Sequence, residues 1–302
     1  MSIGEVILQQ LINGLILGSF YALIALGYSM VYGIIKLLNF AHGDIYMTGA
    51  FVCLSVFGAL SAKIAGLPGI ILSIIAAMIF AGLLGYLAQR FAYRPLLGAP
   101  RLSLLITAIG VSLVIYNSVM VITSSKPLFF TSGLDNSAGI NIGSIKITYI
   151  QIVLISVSVS LMIILTLFIG RTMTGKAMRA IALDQDTCRL MGVNVNKIIG
   201  LTFIIGSALA AISGGLACVY YGNVQYNMGY RIGIKAFTSA VIGGIGSIPG
   251  AMLGGLLLGL LEAMGTQILG SSWQDVFAFG LLILILIFRP NGLLGKSEIE
   301  RM

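Results

Sequence analysis

Long stretches of this chain contain no Asp, Glu, Lys or Arg, and this feature restricts the possible folds more than any other. They are Val6–Ile35, Ile45–Ala62, Ile64–Gln89, Leu102–Ser125, Ile147–Gly170, Ile198–Tyr230 and Ala236–Leu261. Each is near or above the roughly 18 residues that a helix needs to cross hydrocarbon. A closed β-barrel needs alternating strands of about 10 residues, whereas these runs are continuously apolar. The pattern predicts an all-α, polytopic membrane protein.

Composition excludes a water-soluble fold. Only 9% of the residues are charged and 58% are hydrophobic, whereas soluble domains have about 25% and roughly 45–50%. The net charge of +8 does not indicate nucleic-acid binding, because the Lys and Arg residues occupy short loops between apolar runs. No basic region or cleavage site accompanies the first run, so we expect it to be retained as a span.

The positive charges also predict the orientation, since cytoplasmic loops carry most Lys and Arg. This rule places the N-terminus outside and the C-terminus in the cytoplasm. We predict eight full spans, with nine as the alternative, because residues 236–269 could hold one helix and a re-entrant half-helix or two short spans. The predicted external cations are Lys63, Lys126, Lys146, Arg231 and Lys235; the predicted cytoplasmic ones are Lys36, Arg90, Arg94, Arg101, Arg171, Lys176, Arg179, Arg189, Lys197, Arg289, Lys296 and Arg301.

Two stretches of small or polar residues interrupt the apolar runs, at Leu38–Asp44 and Gly243–Gly250. Paired interruptions in the two halves of a transporter are typical of a pathway built from broken helices. The two stretches share little beyond glycine and polarity, so a sequence repeat has weak support. Asp44 is predicted to cap a helix that starts near Ile45. The predicted pathway residues are Asn39, His42, Asp44, Gly243, Gly244 and Gly246.

Two loops are longer than turns. The predicted external loop 123–147 contains an alternating pattern around Gly143-Ser144, which indicates a small β-hairpin. The predicted cytoplasmic loop 171–198 contains a short helix, Lys176–Leu183, and a second one, Gln185–Met191, which Asp184 can cap and Gly192 can end. With apolar Leu183, Leu190 and Met191, this pair is either a docking surface or an amphipathic helix at the membrane interface.

Little in the sequence indicates catalysis. It has no phosphate-binding Gly-rich loop, its single histidine, His42, rules out a Ser-His-Asp set, and its cysteines lack the spacing of a metal site. We therefore predict no catalytic or metal-binding residues. An ion-coupled secondary transporter would need intramembrane ionisable residues, and only His42, Asp44 and Glu262 are candidates. For Glu262 we expect a partner or a place near the external interface, and favour the interface.

Four ordered motifs resemble a known family: Gly14–Asp44, Ala92–Pro95 (AYRP), Lys235–Gly250 (KAFTSAVIGGIGSIPG) and Arg289–Gly295 (RPNGLLG). Together they resemble the LivH-type permeases of bacterial branched-chain amino acid ABC importers over nearly the whole chain. The resemblance implies a single permease domain over residues 1–302 in the bacterial cytoplasmic (inner) membrane. It implies four kinds of partner: a LivM-type permease, two cytoplasmic ATP-binding subunits, an external binding protein and membrane lipid.

The resemblance also bears on the cytoplasmic loop and the substrate. Lys176–Asn194 stands where the family contacts its ATPases, which favours the docking interpretation for Leu183, Asp184, Leu190, Met191 and Gly192. The Glu-Ala-Ala motif of importer loops is not literal here, since Ala182-Leu183-Asp184 takes its place. No cofactor is expected on this chain, because ATP and Mg would belong to the partners. The implied substrates are Leu, Ile and Val, with urea, amides or other amino acids as alternatives.

Overall fold

The structure is a computed structural model that describes residues 3–61, 64, 66–131, 138–142 and 145–295. The hairpin turn at Gly143-Ser144 and the predicted loop cations Lys63, Lys296 and Arg301 lie outside these residues.

Helices account for most of the described chain, with four short strands between them. In chain order the elements are α1 Ile3–Ile35, α2 His42–Leu60, α3 Leu67–Ala88, a π-helical turn Gln89–Tyr93, a 3-10 turn Arg94–Leu96, α4 Arg101–Ile122, β1 Leu128–Phe129, β2 Gly139–Ile142, β3 Ile145–Thr148, α5 Tyr149–Arg171, α6 Met173–Leu183, α7 Gln185–Leu190, α8 Val195–Tyr221, β4 Asn223–Val224, α9 Met228–Gly243, α10 Ile248–Leu269, a 3-10 turn Ser271–Trp273 and α11 Gln274–Phe288.

Eight helices in the described ranges are long and apolar enough to cross a membrane. The prediction of eight spans is therefore confirmed. Termini on opposite sides of the membrane require an odd number of crossings, which eight full spans alone do not provide, so the orientation predicted from the charges stays a prediction. The ambiguity at residues 236–269 arose because α9 has only 16 residues, fewer than a full span needs. The chain breaks after α9, and α10 is one full-length helix of 22 residues. The protein is a multi-pass membrane protein.

The chain divides into two compact units, each assembled from separate segments. The first consists of Met1–Ser29, Ser137–Thr166 and Lys235–Met302. In it α1 and α10 pack so closely that a Cβ on Gly259 would lie 2.2 Å from the Gly18 nitrogen. Glycines of this kind allow helix backbones to touch in a membrane. The predicted hairpin is confirmed by antiparallel pairing of β2 and β3, with Ile142 opposite Ile145.

The second unit consists of Met30–Asn136 and Leu167–Ile234. Its core is formed by α2, α3 and α8, which pack against one another. A Cβ on Gly49 would lie 2.6 Å from the Cα of Ala211. Short strands β1 and β4 pair antiparallel beside this core, with Leu128 opposite Val224. The prediction of one permease domain over 1–302 stays a prediction.

Candidate transport pathway and coupling surface

The first predicted break is present and its polar residues are buried. α1 ends at Ile35 and α2 begins at His42. Asn39 is 2% exposed and its Oδ1 accepts a hydrogen bond of 2.8 Å from the Tyr93 hydroxyl. The start of α2 is pressed against α9, because a Cβ on Gly43 would lie 2.4 Å from the Gly229 carbonyl oxygen. The structure therefore brings Asn39 and His42 together, since both are buried and the His42 nitrogen donates to the Asn39 carbonyl oxygen at 3.0 Å.

The predicted role of Asp44 as a helix cap is wrong. α2 starts at His42 instead of Ile45, and its N-cap residue, Ala41, makes no side-chain cap bond. Asp44 lies in the first turn, 3% exposed, and its Oδ2 accepts a hydrogen bond from the Ser112 hydroxyl on α4. α2 starts about one turn earlier than the apolar pattern indicates, so Asp44 lies inside the helix. Its carboxylate therefore joins α2 to α4 through Ser112.

Side chains of α4 were missed by sequence reasoning. Ser112 contacts Asp44, and one turn further along the helix the ring of Tyr116 lies 5.5 Å from the ring of Tyr226. Residues four apart share a face of a helix, so both groups point from α4 towards this part of the unit. No local signal marks them, because both stand inside an ordinary apolar run.

The second predicted break is present and is closed by backbone contacts. α9 ends at Gly243, and Gly244 and Gly246 have φ values of 105° and 92°, which favour glycine. The Ser247 hydroxyl then caps α10 by accepting from the Gly250 nitrogen at 3.2 Å. Gly243, Gly244 and Gly246, which were predicted to line the pathway, therefore form the turn between α9 and α10.

The motif Arg289–Gly295 packs directly on this second break. The nitrogens of Leu293 and Leu294 donate to the carbonyl oxygens of Ile242 and Gly243, both at 2.9 Å. A Cβ on Gly244 would lie 2.4 Å from the Gly295 nitrogen. These contacts explain why both segments carry glycine where their backbones meet, and they favour a structural role for Gly243 and Gly244.

A buried charge cluster links α9, α10 and α11. The Lys235 ammonium lies 3.2 Å from Glu262 and 2.9 Å from Asp275. Glu262 is fully buried and also accepts hydrogen bonds of 2.8 Å from the Tyr21 hydroxyl and the Gln274 amide. Of the two expectations for Glu262, the structure provides the partner; its depth in the membrane stays a prediction.

Lys235 itself differs from the sequence-based expectation. The charge pattern predicts an external loop cation at this position, yet Lys235 lies on α9 with its side chain only 9% exposed. The buried cluster could not be read from the sequence, because Lys235 and Glu262 are 27 residues apart on different helices. Removing one partner of such a pair leaves an uncompensated buried charge.

The loop at residues 171–198, which the charges predict to be cytoplasmic, forms the two predicted helices. The Thr172 hydroxyl caps α6, and the Asp184 carboxylate caps α7 by accepting from the nitrogens of Asp186 and Thr187. The Thr187 hydroxyl also donates to Asp184, and this bond, followed by the Thr187 backbone bond, lowers the pKa of the carboxyl. Gly192 ends the pair with a φ of 80°. The predicted cap and stop are confirmed as geometry.

This helix pair buries one face and exposes large apolar side chains on the other. Met178 and Ile181 are each 1% exposed. In contrast, Leu183 is 91%, Leu190 is 89% and Met191 is 79% exposed. We call these three residues the apolar tip. Exposed apolar groups clustered on a stiff support are typical of an interaction surface.

Comparison with known proteins gives a consistent result. Residues 10–286 match the family described as branched-chain amino acid transport system, permease component. The chain is 48% identical to the high-affinity branched-chain amino acid transport system permease protein BraD of Pseudomonas aeruginosa, over 98% of both chains. It is 42% identical to LivH of Escherichia coli, over 98% of this chain and 97% of that one. A fructose import permease of Rhizobium meliloti, FrcC, is 29% identical over 48% of this chain and 41% of its own.

Proposed function

Because this chain belongs to the family of permease components of branched-chain amino acid transport systems, we propose that it is a membrane-spanning subunit of an ATP-driven importer for Leu, Ile and Val. The observation that carries this proposal is the 48% identity to a high-affinity permease over 98% of both chains. Similarity of this extent covers every span and both breaks, so the whole transport fold is shared.

The proposed importer contains other subunits. This chain pairs with a second, LivM-type permease to form the pathway, and an external binding protein delivers the amino acid. Two cytoplasmic ATP-binding subunits hold ATP and Mg and carry out hydrolysis, while this chain binds no cofactor. Membrane lipid surrounds the spans.

The apolar tip supports the proposal that α6 and α7 dock on the ATP-binding subunits. Coupling requires a contact that transmits movement without bending. The caps at Thr172 and Asp184 fix both short helices, and the exposed Leu183, Leu190 and Met191 supply area for an interface core, where apolar anchors contribute most of the binding free energy.

One observation favours a second candidate, an ion-coupled secondary transporter. Glu262 is a buried carboxylate inside a span, and such residues often belong to proton relays. However, Lys235, Tyr21 and Gln274 all hold Glu262 in place. Because Lys235 supplies the compensating charge, this carboxylate is better suited to joining α9 and α10 than to exchanging protons.

Reconstitution distinguishes these functions and tests the substrate. Proteoliposomes that contain this chain, the second permease, the ATP-binding subunits and the binding protein are loaded with ATP and Mg and given labelled leucine outside. We expect uptake that needs ATP and the binding protein and that unlabelled isoleucine and valine suppress. Uptake by this chain alone on a proton or sodium gradient would establish the secondary transporter, and suppression by urea or amides but not by valine would reassign the substrate.

A further inference from the structure

A cavity of about 600 Å³ lies where the end of α3 meets the beginning of α8, within the second unit. The charge distribution predicts that this end of α3 is cytoplasmic. The 22 residues of α3 extend about 33 Å, close to the thickness of the hydrocarbon core, so the turns that follow α3 reach the headgroup region. The residues that line the cavity include Tyr86, Gln89, Arg90, Arg94, Asn194 and Lys197.

The electrostatics of this cavity favour an anion. Arg90, Arg94 and Lys197 line it, and no carboxylate does. In the part of the chain that the structure describes, no ion pair involves any of the three. The first turn of α8 lies at the same place, with Asn194 as its N-cap, and a helix N-terminus adds partial positive charge.

A buried amide supplies a second, independent sign of a ligand. Gln89 is only 2% exposed, and its Nε2 has no hydrogen-bond partner within the described residues. Buried amide groups without a partner are rare because each costs about 1–3 kcal/mol. Gln89 lines the cavity, so an acceptor oxygen bound there would satisfy the amide.

An apolar groove continues from the basic cavity along α3 and α8. This second cavity, of about 370 Å³, shares Tyr86 and Ile204 with the first. Its other lining residues are Met78, Ile79, Gly82, Leu83 and Ala208, none of which carries a charge. Since Met78 and Gly82 lie inside the membrane-spanning helix, the groove extends from the headgroup region into the hydrocarbon.

We propose that the basic cavity and the apolar groove together form a binding site for one anionic phospholipid, with its phosphate near Arg90, Arg94 and Lys197 and an acyl chain along the groove. The charge of the cavity and the apolar character of its continuation match the two ends of this one molecule. Basic pockets between helices at the cytoplasmic side are a known way to hold anionic headgroups. A free anion would leave the groove unexplained.

The experiment is a lipid titration of the full-length chain, delipidated in a mild detergent and followed by native mass spectrometry. Phosphatidylglycerol is the probe, with phosphatidylcholine and inorganic phosphate as comparisons. We expect one phosphatidylglycerol to bind more tightly than phosphatidylcholine. The double variant Arg90→Gln/Lys197→Gln should weaken this event about 30-fold, because each cation near an anionic headgroup contributes roughly a factor of five.

Matched variants separate the site from general charge and from misfolding. Lys126→Gln/Lys146→Gln removes the same charge from loops that the charge distribution predicts to be external and should change the affinity less than about twofold. Arg90→Lys keeps the charge and should retain binding. Gln89→Leu should weaken binding about fivefold, and Ala208→Leu, which fills the groove, roughly tenfold. Melting temperatures confirm that each variant is folded.

Two results would overturn the proposal. If inorganic phosphate competes fully with phosphatidylglycerol and Ala208→Leu has no effect, the site takes a free anion. If phosphatidylcholine binds equally well, or the Arg90→Gln/Lys197→Gln and Lys126→Gln/Lys146→Gln variants behave alike, the lipid is held only by the general surface. The proposal does not depend on the transported substrate.

Discussion

The charge cluster of Lys235, Glu262 and Asp275 and the apolar tip both reverse the usual distribution of residues. In the first, Lys235 and Glu262 are buried between helices while Asp275 is 56% exposed, and the second exposes large apolar side chains on a loop. They differ in one respect: the charges have partners inside the chain, whereas Leu183, Leu190 and Met191 remain open. Buried charges that are paired within the chain stabilise the fold. Exposed apolar side chains that nothing in the chain covers indicate a surface for a partner subunit.

Breaking the charge cluster should have the largest effect. Lys235→Met leaves Glu262 buried beside Tyr21 and Gln274 without its cation, and loss of one member of a buried pair costs about 3–5 kcal/mol. We expect a large fall in melting temperature and in the yield of monodisperse protein. The double variant Lys235→Met/Glu262→Gln removes the orphaned charge and should recover most of the loss. Equal destabilisation of both variants would show that the pair is not what stabilises this region.

Disrupting the apolar tip should affect assembly and leave the fold intact. Leu190→Asp places a charge at the centre of the proposed interface, where a central residue is worth about 2 kcal/mol or more. We expect association with the ATP-binding subunits, measured by co-purification, to weaken at least about 30-fold. The melting temperature of the isolated chain should not change, because Leu190 is 89% exposed. Leu190→Met, which stays apolar, is the matched control.

Asp44 differs from Glu262 because it is a buried carboxylate without a cation beside it. Its hydrogen-bond partner is the neutral Ser112 hydroxyl, and among the described ion pairs none includes Asp44. Buried carboxylates in membrane-spanning helices are often functional, so we predict that Asp44 takes part in transport. Asp44→Asn keeps an acceptor for Ser112, so we expect stability within about 1 kcal/mol of the parent chain.

Transport should respond to the same change more than stability does. We expect Asp44→Asn to reduce ATP-dependent uptake about tenfold, the loss expected for one charge-assisted hydrogen bond, with normal assembly. His42→Ala should act in the same direction. Parent-like uptake by both variants would leave His42 and Asp44 with a structural role only.

The smallest predicted effect concerns the stop at Gly192. Its φ of 80° is unfavourable for other residues, so Gly192→Val should cost on the order of 1 kcal/mol and reorient the apolar tip. We expect a partial loss of binding-protein-stimulated ATP hydrolysis, smaller than that of Leu190→Asp. Gly98→Val provides the control, because Gly98 has open space around it and no positive φ.

Structural features that depend only on neighbouring residues could be predicted from the sequence. Charge-free runs located seven of the eight spans, alternation indicated the β2–β3 hairpin, and Asp184 and Gly192 marked where α7 begins and ends. Each of these signals lies within a few residues of the structure it specifies, so the period or the cap is visible without knowledge of the fold.

Features that depend on distant residues were not predictable. Ser112 is 68 residues from Asp44, and Lys235 is 27 from Glu262. The motif at Arg289–Gly295 was recognised as a family signature, but its packing on Gly243 and Gly244 depends on backbone approach between separate segments. The packing of the helices decides which polar side chains meet. A continuous apolar run has no sequence period that would reveal this packing.

The most direct test of the account asks what covers the apolar tip. A benzophenone amino acid is placed at position 190 and activated by light in the assembled transporter in membranes. The same group at position 79, where Ile79 lines the apolar groove, is the control. We predict that position 190 captures an ATP-binding subunit and that position 79 captures lipid. Capture of lipid at both positions would contradict the account, because α7 would then be an amphipathic helix lying on the membrane.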